Sequence, residues 1–220
     1  MNVQSNTYKC VTVFALTIIA VLVLGCSDQS VQYSYETWVE SEENGLRKSK
    51  PVGNYQYSIQ YRPWSYIAKR ELRDESYDET KMKKKIHEMD ELQYFSLRIA
   101  LRKDEGDVLR SGLYGEGEYE ERIAYLNGHI NKDIFLLDGG DTLSCVLHHF
   151  ERNFGIAPYL NVSLGFEITA DEKEAILNEV PFAYSDKSLV FEDKLFGTGM
   201  VRLTIRGEDL ANIPVKLSDI

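Results

Sequence analysis

Three places in the chain gather residues that could do chemistry. His148 and His149 stand side by side with Glu151 two positions on, and imidazole and carboxylate are common zinc ligands. Both histidines fall in an apolar run read as a strand, where consecutive side chains point to opposite faces. Two neighbouring imidazoles therefore cannot converge on one ion, and no HExxH helix supplies a third ligand. Satisfied structural histidines are the simpler reading. His87 and His129 are isolated on predicted helices.

Asp138 and Asp141 flank Gly139-Gly140, so a tight turn would bring two carboxylates near enough to share a proton or a cation. Acids beside such a turn more often accept from its N–H groups, and the alternating oxygen ligands of an EF-hand are missing. Cys145 lies three and four residues from the histidines. Along a strand that is about 10 to 13 Å, beyond the reach of a nucleophile and its base. Gly115-Glu116-Gly117 and Gly197-Thr198-Gly199 are too short to cradle phosphate, and neither GxSxG nor a Walker loop occurs. No cofactor is expected.

Aromatic residues are dense between positions 33 and 66. Exposed Tyr and Trp can stack on sugar rings or anchor a protein partner. Alternation places most of the tyrosines on a core face and leaves Trp38 as the large aromatic pointing outward.

These residues must be held by elements that the hydrophobic pattern marks out. Val31, Tyr33, Tyr35, Thr37 and Val39 alternate with polar neighbours, which predicts a strand over 31–40. A polar loop is expected over 41–54 and a second strand over 55–61. Pro63 opens a helix carrying Trp64, Ile67, Ala68 and Leu72, and a second helix runs over 80–92 with Met82, Ile86 and Met89 on one stripe. Lys81, Lys83, Lys84 and Lys85 read as its solvated face. A third strand spans 95–101, and the acid- and glycine-rich stretch 104–118 is the candidate boundary between two halves.

A helix over 119–130 precedes a hairpin, whose apolar runs 134–137 and 142–150 join at Gly139-Gly140. A type I′ turn there needs positive φ at both glycines. The cleanest strand is 160–168, and Thr169 with Glu172 forms a capping-box pattern for a helix to 179. Strands are expected at 182–184 and 201–205, with an edge segment over 213–217 limited by Pro214. The fold class is α+β, a mainly antiparallel sheet of half-buried strands with three to four short helices packed on one face.

Residues 11–24 carry no charge and are closed by Gly25-Cys26-Ser27, while Lys9 is the one charged residue before them. Fourteen residues fall short of the roughly 20 that span a bilayer, so residues 1–25 read as a signal peptide. The ending Val23-Leu24-Gly25-Cys26 resembles the lipobox of bacterial lipoproteins, in which a small residue precedes a cysteine that is lipidated and becomes the mature N-terminus. Leu24 stands where a smaller residue is more usual. The resemblance covers residues 1–27 and implies acylation at Cys26 and a membrane-held module. Ser27 in place of Asp implies, for a diderm bacterium, delivery to the outer membrane.

After cleavage Cys145 would be the one free thiol, so the core must supply the stability. Residues 26–30 would form a short tether, spanning little more than about 10 Å, and residues 31–220 a single domain. The mature part would carry 24 basic and 35 acidic residues. That balance disfavours nucleic acid and repels anionic headgroups. The first reading is thus a non-enzymatic envelope lipoprotein that binds another envelope protein or joins an assembly. A glycan-binding module using Trp38 is the second, and a hydrolase acting through Asp138, Asp141, His148 or His149 the third.

Overall fold

The computed structural model describes residues 35–72, 78–89, 91–103, 106–153 and 156–214. The expected signal peptide, Cys26 and the tether lie outside them. Helix α1 (Tyr35–Glu40) leads to strands β1 (Arg47–Val52) and β2 (Tyr55–Arg62), then to helices α2 (Trp64–Glu71) and α3 (Glu79–His87). Next come β3 (Leu92–Leu101), α4 (Glu116–Gly128), β4 (Ile134–Asp138), β5 (Asp141–Ser144), β6 (Leu147–Glu151) and β7 (Tyr159–Glu167). Helix α5 (Ala170–Leu177), β8 (Lys187–Asp193), β9 (Gly199–Ile205) and α6 (Gly207–Ala211) complete the described part.

Every strand pairs antiparallel, in two sheets ordered β1-β2-β3-β7-β6 and β5-β4-β8-β9. The α+β class expected from the pattern is what forms, with two sheets in place of one and six helices among the described residues in place of three to four. In the first sheet the register sets Ile59, Leu97 and Val162 in one inward row and Tyr61, Phe95 and Leu164 in the next. In the second, Leu136, Leu189 and Leu203 form a matching row. All are buried, and apolar surface removed from water at about 25 cal/mol per Å² is what holds the two inner faces together. Polar bonds cross the same interior: the Tyr57 hydroxyl donates to Asp193 at 2.7 Å, and Gln93 donates to Asp138 at 3.0 Å. Strands from both sides of the 104–118 stretch share the first sheet, and Val108 and Leu109 from within it join the core.

Several expectations are corrected. The strand expected over 31–40 is helical from Tyr35 on, with Tyr35 and Val39 buried on one face. A separation of four satisfies both a two-residue and a 3.6-residue period, so alternation alone could not decide between them. The expected loop 41–54 contains β1, an edge strand tolerant of Pro51. The second helix stops at His87, and Leu92 instead begins β3. The run 142–150 is broken at Cys145: β5 stays with β4, whereas β6 crosses to the other sheet. Phe182 and Tyr184 lie in irregular chain; of the expected edge segment 213–217, Ile213 follows α6 without strand structure and 215–217 lie outside the described residues. The turn at 139–140 uses positive φ (61°) at Gly139 alone.

Candidate functional site

The residues singled out by type and spacing do not meet. His148 Nε2 donates to the Asn127 carbonyl of α4 at 3.0 Å, while His149 faces out on the opposite side of β6, beside Ser163 of β7. Cys145 is buried, and its thiol donates to the Leu147 carbonyl at 3.1 Å. Trp38 is half-buried on α1 and stacks on Tyr35 with ring centroids 6.3 Å apart. It is not the outward aromatic of a strand, because the segment is a helix. Asp138 and Asp141 are register partners across the hairpin, yet Asp138 is buried and Asp141 exposed.

Asp138 belongs to a different constellation. In the second sheet β4 ends opposite the start of β8, and this register brings Asp138 to Lys187. The Lys187 side chain is 0% exposed. Its ammonium lies 2.6 Å from Asp138 and 2.9 Å from Glu172 of α5. Gln93 and Ser185 also donate to Asp138, and Gln93 donates to the Glu167 carbonyl at 2.9 Å. Thr169 caps α5 as the pattern indicated, accepting from the Glu172 N–H at 3.3 Å, but the Glu172 side chain turns inward to Lys187 and does not close the box. That side chain, with Lys187 and Gln93, is what sequence reasoning missed.

One ammonium stands between two carboxylates, so the fully ionised cluster is one charge negative. Burial works against the charge on Asp138, but Lys187, Ser185 and Gln93 outweigh it and hold its carboxyl below the ordinary range. Burial raises Glu172, and Lys187 offsets only part of that. The two acids differ because Asp138 collects several donors, while one Glu172 oxygen is buried without a partner. With the Lys187 side chain 0% exposed, its ammonium is engaged by the two carboxylates inside the protein.

Tyr61 and Tyr184, both within reach of the Glu172 charge, line a surface groove of about 150 Å³. Burial, then the Glu172 charge, pushes the Tyr184 hydroxyl up to about 12. The walls come from Trp64 of α2, Ile86 of α3, Ile176 of α5, and Val180 and Phe182 of the segment after α5. Trp64 is fixed by a 2.7 Å bond from its indole N–H to the Leu92 carbonyl, and Phe182 packs edge-on to Tyr184 at 5.0 Å. Val180 is 47% exposed. Lys83 and Glu179, 3.2 Å apart, form the charged rim.

Glu179 has φ 54°, the one positive value at a non-glycine residue among those described. Its N–H reaches the Ile176 carbonyl and the Val180 N–H reaches that of Ala175, the bond pattern that ends a helix with a left-handed residue, normally Gly. Backbone strain of this kind marks candidate sites, and here it sits on the groove rim.

No protein-family model, curated protein or solved structure matches this chain. Among the described residues no group of three or more His, Cys, Asp and Glu side chains is placed to hold a metal ion, and no helix is long and apolar enough to cross a membrane.

Proposed function

We propose that this chain is a cell-envelope lipoprotein, held at a membrane through Cys26, that works without catalysis by receiving an apolar side chain of another envelope protein. The observation that carries the binding role is the groove beside Trp64 and Phe182. An apolar cavity of about 150 Å³ accepts a single benzene-sized group, and the groove has that volume. A pocket that buries one anchoring side chain inside a polar rim is how protein interfaces concentrate affinity. The membrane role is supported by the uncharged run 11–24 and the Gly25-Cys26 ending. The acidic balance of the remainder favours a module that stands off anionic lipid on its acyl chains. The glycan reading rested on an outward Trp38 and loses that support.

The test is site-specific photocrosslinking in intact membranes. A photoreactive phenylalanine analogue at Val180 should give a discrete protein adduct, one at the 98% exposed Tyr114, which does not line the groove, should not, and Ile176→Arg should remove the Val180 adduct. Equal labelling from both positions, or none from Val180, would refute the groove as the receptor.

A further inference from the structure

The outer face of the first sheet is turned away from the core and carries short polar side chains, among them Ser58 on β2, Ser96 on β3 and Ser163 on β7. Long basic chains rise around them. Arg47, Arg62, Arg70 and Arg98 line a cavity of about 100 Å³ together with Ser58 and Ser96, both of which are buried beneath them. In a chain of net charge -10 this gathering of cations is local, and it depends on register: Ser58 pairs with Arg98, and Gln60 with both Arg47 and Ser96.

Two of the four arginines have acidic neighbours. Arg47 lies 3.8 Å from Glu42, and Arg70 lies 4.0 Å from Glu40, a member of the cavity wall that also accepts from the Tyr66 hydroxyl at 2.5 Å. Contacts this long and exposed hold a guanidinium weakly. The other two have no carboxylate within 4.0 Å among the described residues. Arg98 rests on the Tyr159 ring at 3.9 Å. Arg62 donates to Ser163 at 3.4 Å, and Ser163 donates onward to Glu151 at 3.0 Å. The Arg62 Nε is buried without any hydrogen-bond partner. Burial, together with Arg70 and Arg98, lowers the proton affinity of Arg62 against the pull of Glu151. Four guanidinium groups gathered around one cavity repel one another, and an anion bound among them relieves that repulsion.

We propose that this cavity binds a phosphate group. Guanidinium forks match the oxygens of phosphate in pairs, and serine hydroxyls can donate to the remaining ones. A phosphate monoester carries about −1.5 to −2 at neutral pH, so it answers more of the charge of the four lining guanidiniums, of which Glu40 in the wall offsets one, than a singly charged carboxylate does. A space of about 100 Å³ equals roughly three waters at about 30 Å³ each, enough for one tetrahedral oxyanion. A soluble phosphate monoester and the monoester headgroup of a phosphatidic-acid-type lipid present the same group.

Calorimetry on the full chain in zwitterionic detergent tests this, with inorganic phosphate and glycerol 3-phosphate as probes and acetate at equal ionic strength as reference. Saturable binding of either probe is expected. Binding of glycerol 3-phosphate alone would assign the headgroup as source. Arg62→Gln and Arg98→Gln should each weaken binding at least ten-fold, Arg62→Lys should weaken it less, and Lys50→Gln, outside the cavity, should leave it unchanged with circular dichroism intact throughout. Affinity should also fall at pH 5, where phosphate loses a charge. Failure of both probes to bind, equal binding of acetate, or unchanged affinity in the Arg62→Gln/Arg98→Gln double variant overturns the proposal.

Discussion

Lys187 and Asp138 face each other across neighbouring strands at 2.6 Å, with the lysine side chain wholly inside the protein. Attraction inside the protein is strong, but both ions have left water, so the pair as a whole adds little to stability. Removing one partner is different, since the other remains buried and charged. Lys187→Met should destabilise the fold by about 3 to 5 kcal/mol. Replacing the cluster together, as Lys187→Met with Asp138→Leu and Glu172→Gln, should return most of that. Urea unfolding measures both, and a loss below about 1 kcal/mol for Lys187→Met would contradict the pairing.

The two carboxylates at Lys187 should respond to acid in opposite senses. A carboxyl whose folded pKa is raised, as burial raises Glu172, adds stability below its unfolded pKa that is lost as pH rises through the folded value. One held low, as Lys187 and its neighbours hold Asp138, adds stability above its unfolded pKa that is lost as pH falls through the folded value. Unfolded values are about 4.3 for Glu and 3.9 for Asp. Relative to the parent chain, Glu172→Gln should therefore gain stability as pH rises from about 4 toward neutrality. Asp138→Asn should lose ground as pH rises toward about 4 and then hold level. Parallel pH profiles for the two variants would refute the assignment.

The hairpin at 138–141 separates its four residues sharply. Gly139 has φ 61° and Gly140 is not in the positive region, so Gly139→Val should cost about 1 to 2 kcal/mol through left-handed strain. Gly140→Val meets no atom within 4 Å and should cost less than about 0.5 kcal/mol. Asp138→Asn removes a charge from Lys187 and should destabilise measurably, whereas Asp141→Asn, at an exposed position, should be silent. Thermal unfolding of the four single variants decides between this asymmetry and a turn in which both glycines or both acids are equivalent.

Strands β2, β3 and β7 were legible because large apolar residues alternate with polar or small ones along each, one set facing the core. Strand β8 was not. Its first five residues are all buried, and a strand covered on both faces has no period to read. The cluster joins Gln93, Asp138, Glu172 and Lys187, with the first two 45 residues apart, and only the pairing of strands brings them together. The arginine cavity hides for the same reason. Arg98 lies on the polar side of the expected strand 95–101 and Arg62 just past the expected strand 55–61, and only the pairing of β2 with β3 sets both on one sheet.

Glu179 holds a left-handed backbone that glycine would adopt without strain. The strain is worth about 1 to 2 kcal/mol, and the half-exposed pair with Lys83 returns at most about 0.5. Allowing for the greater chain entropy of glycine, Glu179→Gly should raise stability by about 0.5 to 1 kcal/mol. The same variant should weaken adduct formation from Val180, because it opens the charged rim of the groove. Destabilisation would show that the pair with Lys83 outweighs the backbone.

Cys145 connects the folded part to the processing proposed at Cys26. Burial pushes its thiol up to about 11, so at pH 8 about one molecule in a thousand carries the thiolate that alkylating reagents attack. The sequence holds three cysteines, Cys10, Cys26 and Cys145. If Cys10 leaves with the signal peptide and Cys26 carries lipid, the protein isolated from membranes should take up no iodoacetamide while folded and one equivalent in guanidinium. Replacing Cys26 by Ser should leave an uncleaved chain that takes up two equivalents in denaturant, from Cys10 and Cys145. Two or three equivalents from the unaltered, denatured protein would overturn the processing, and rapid alkylation of the folded protein would place a thiol at the surface.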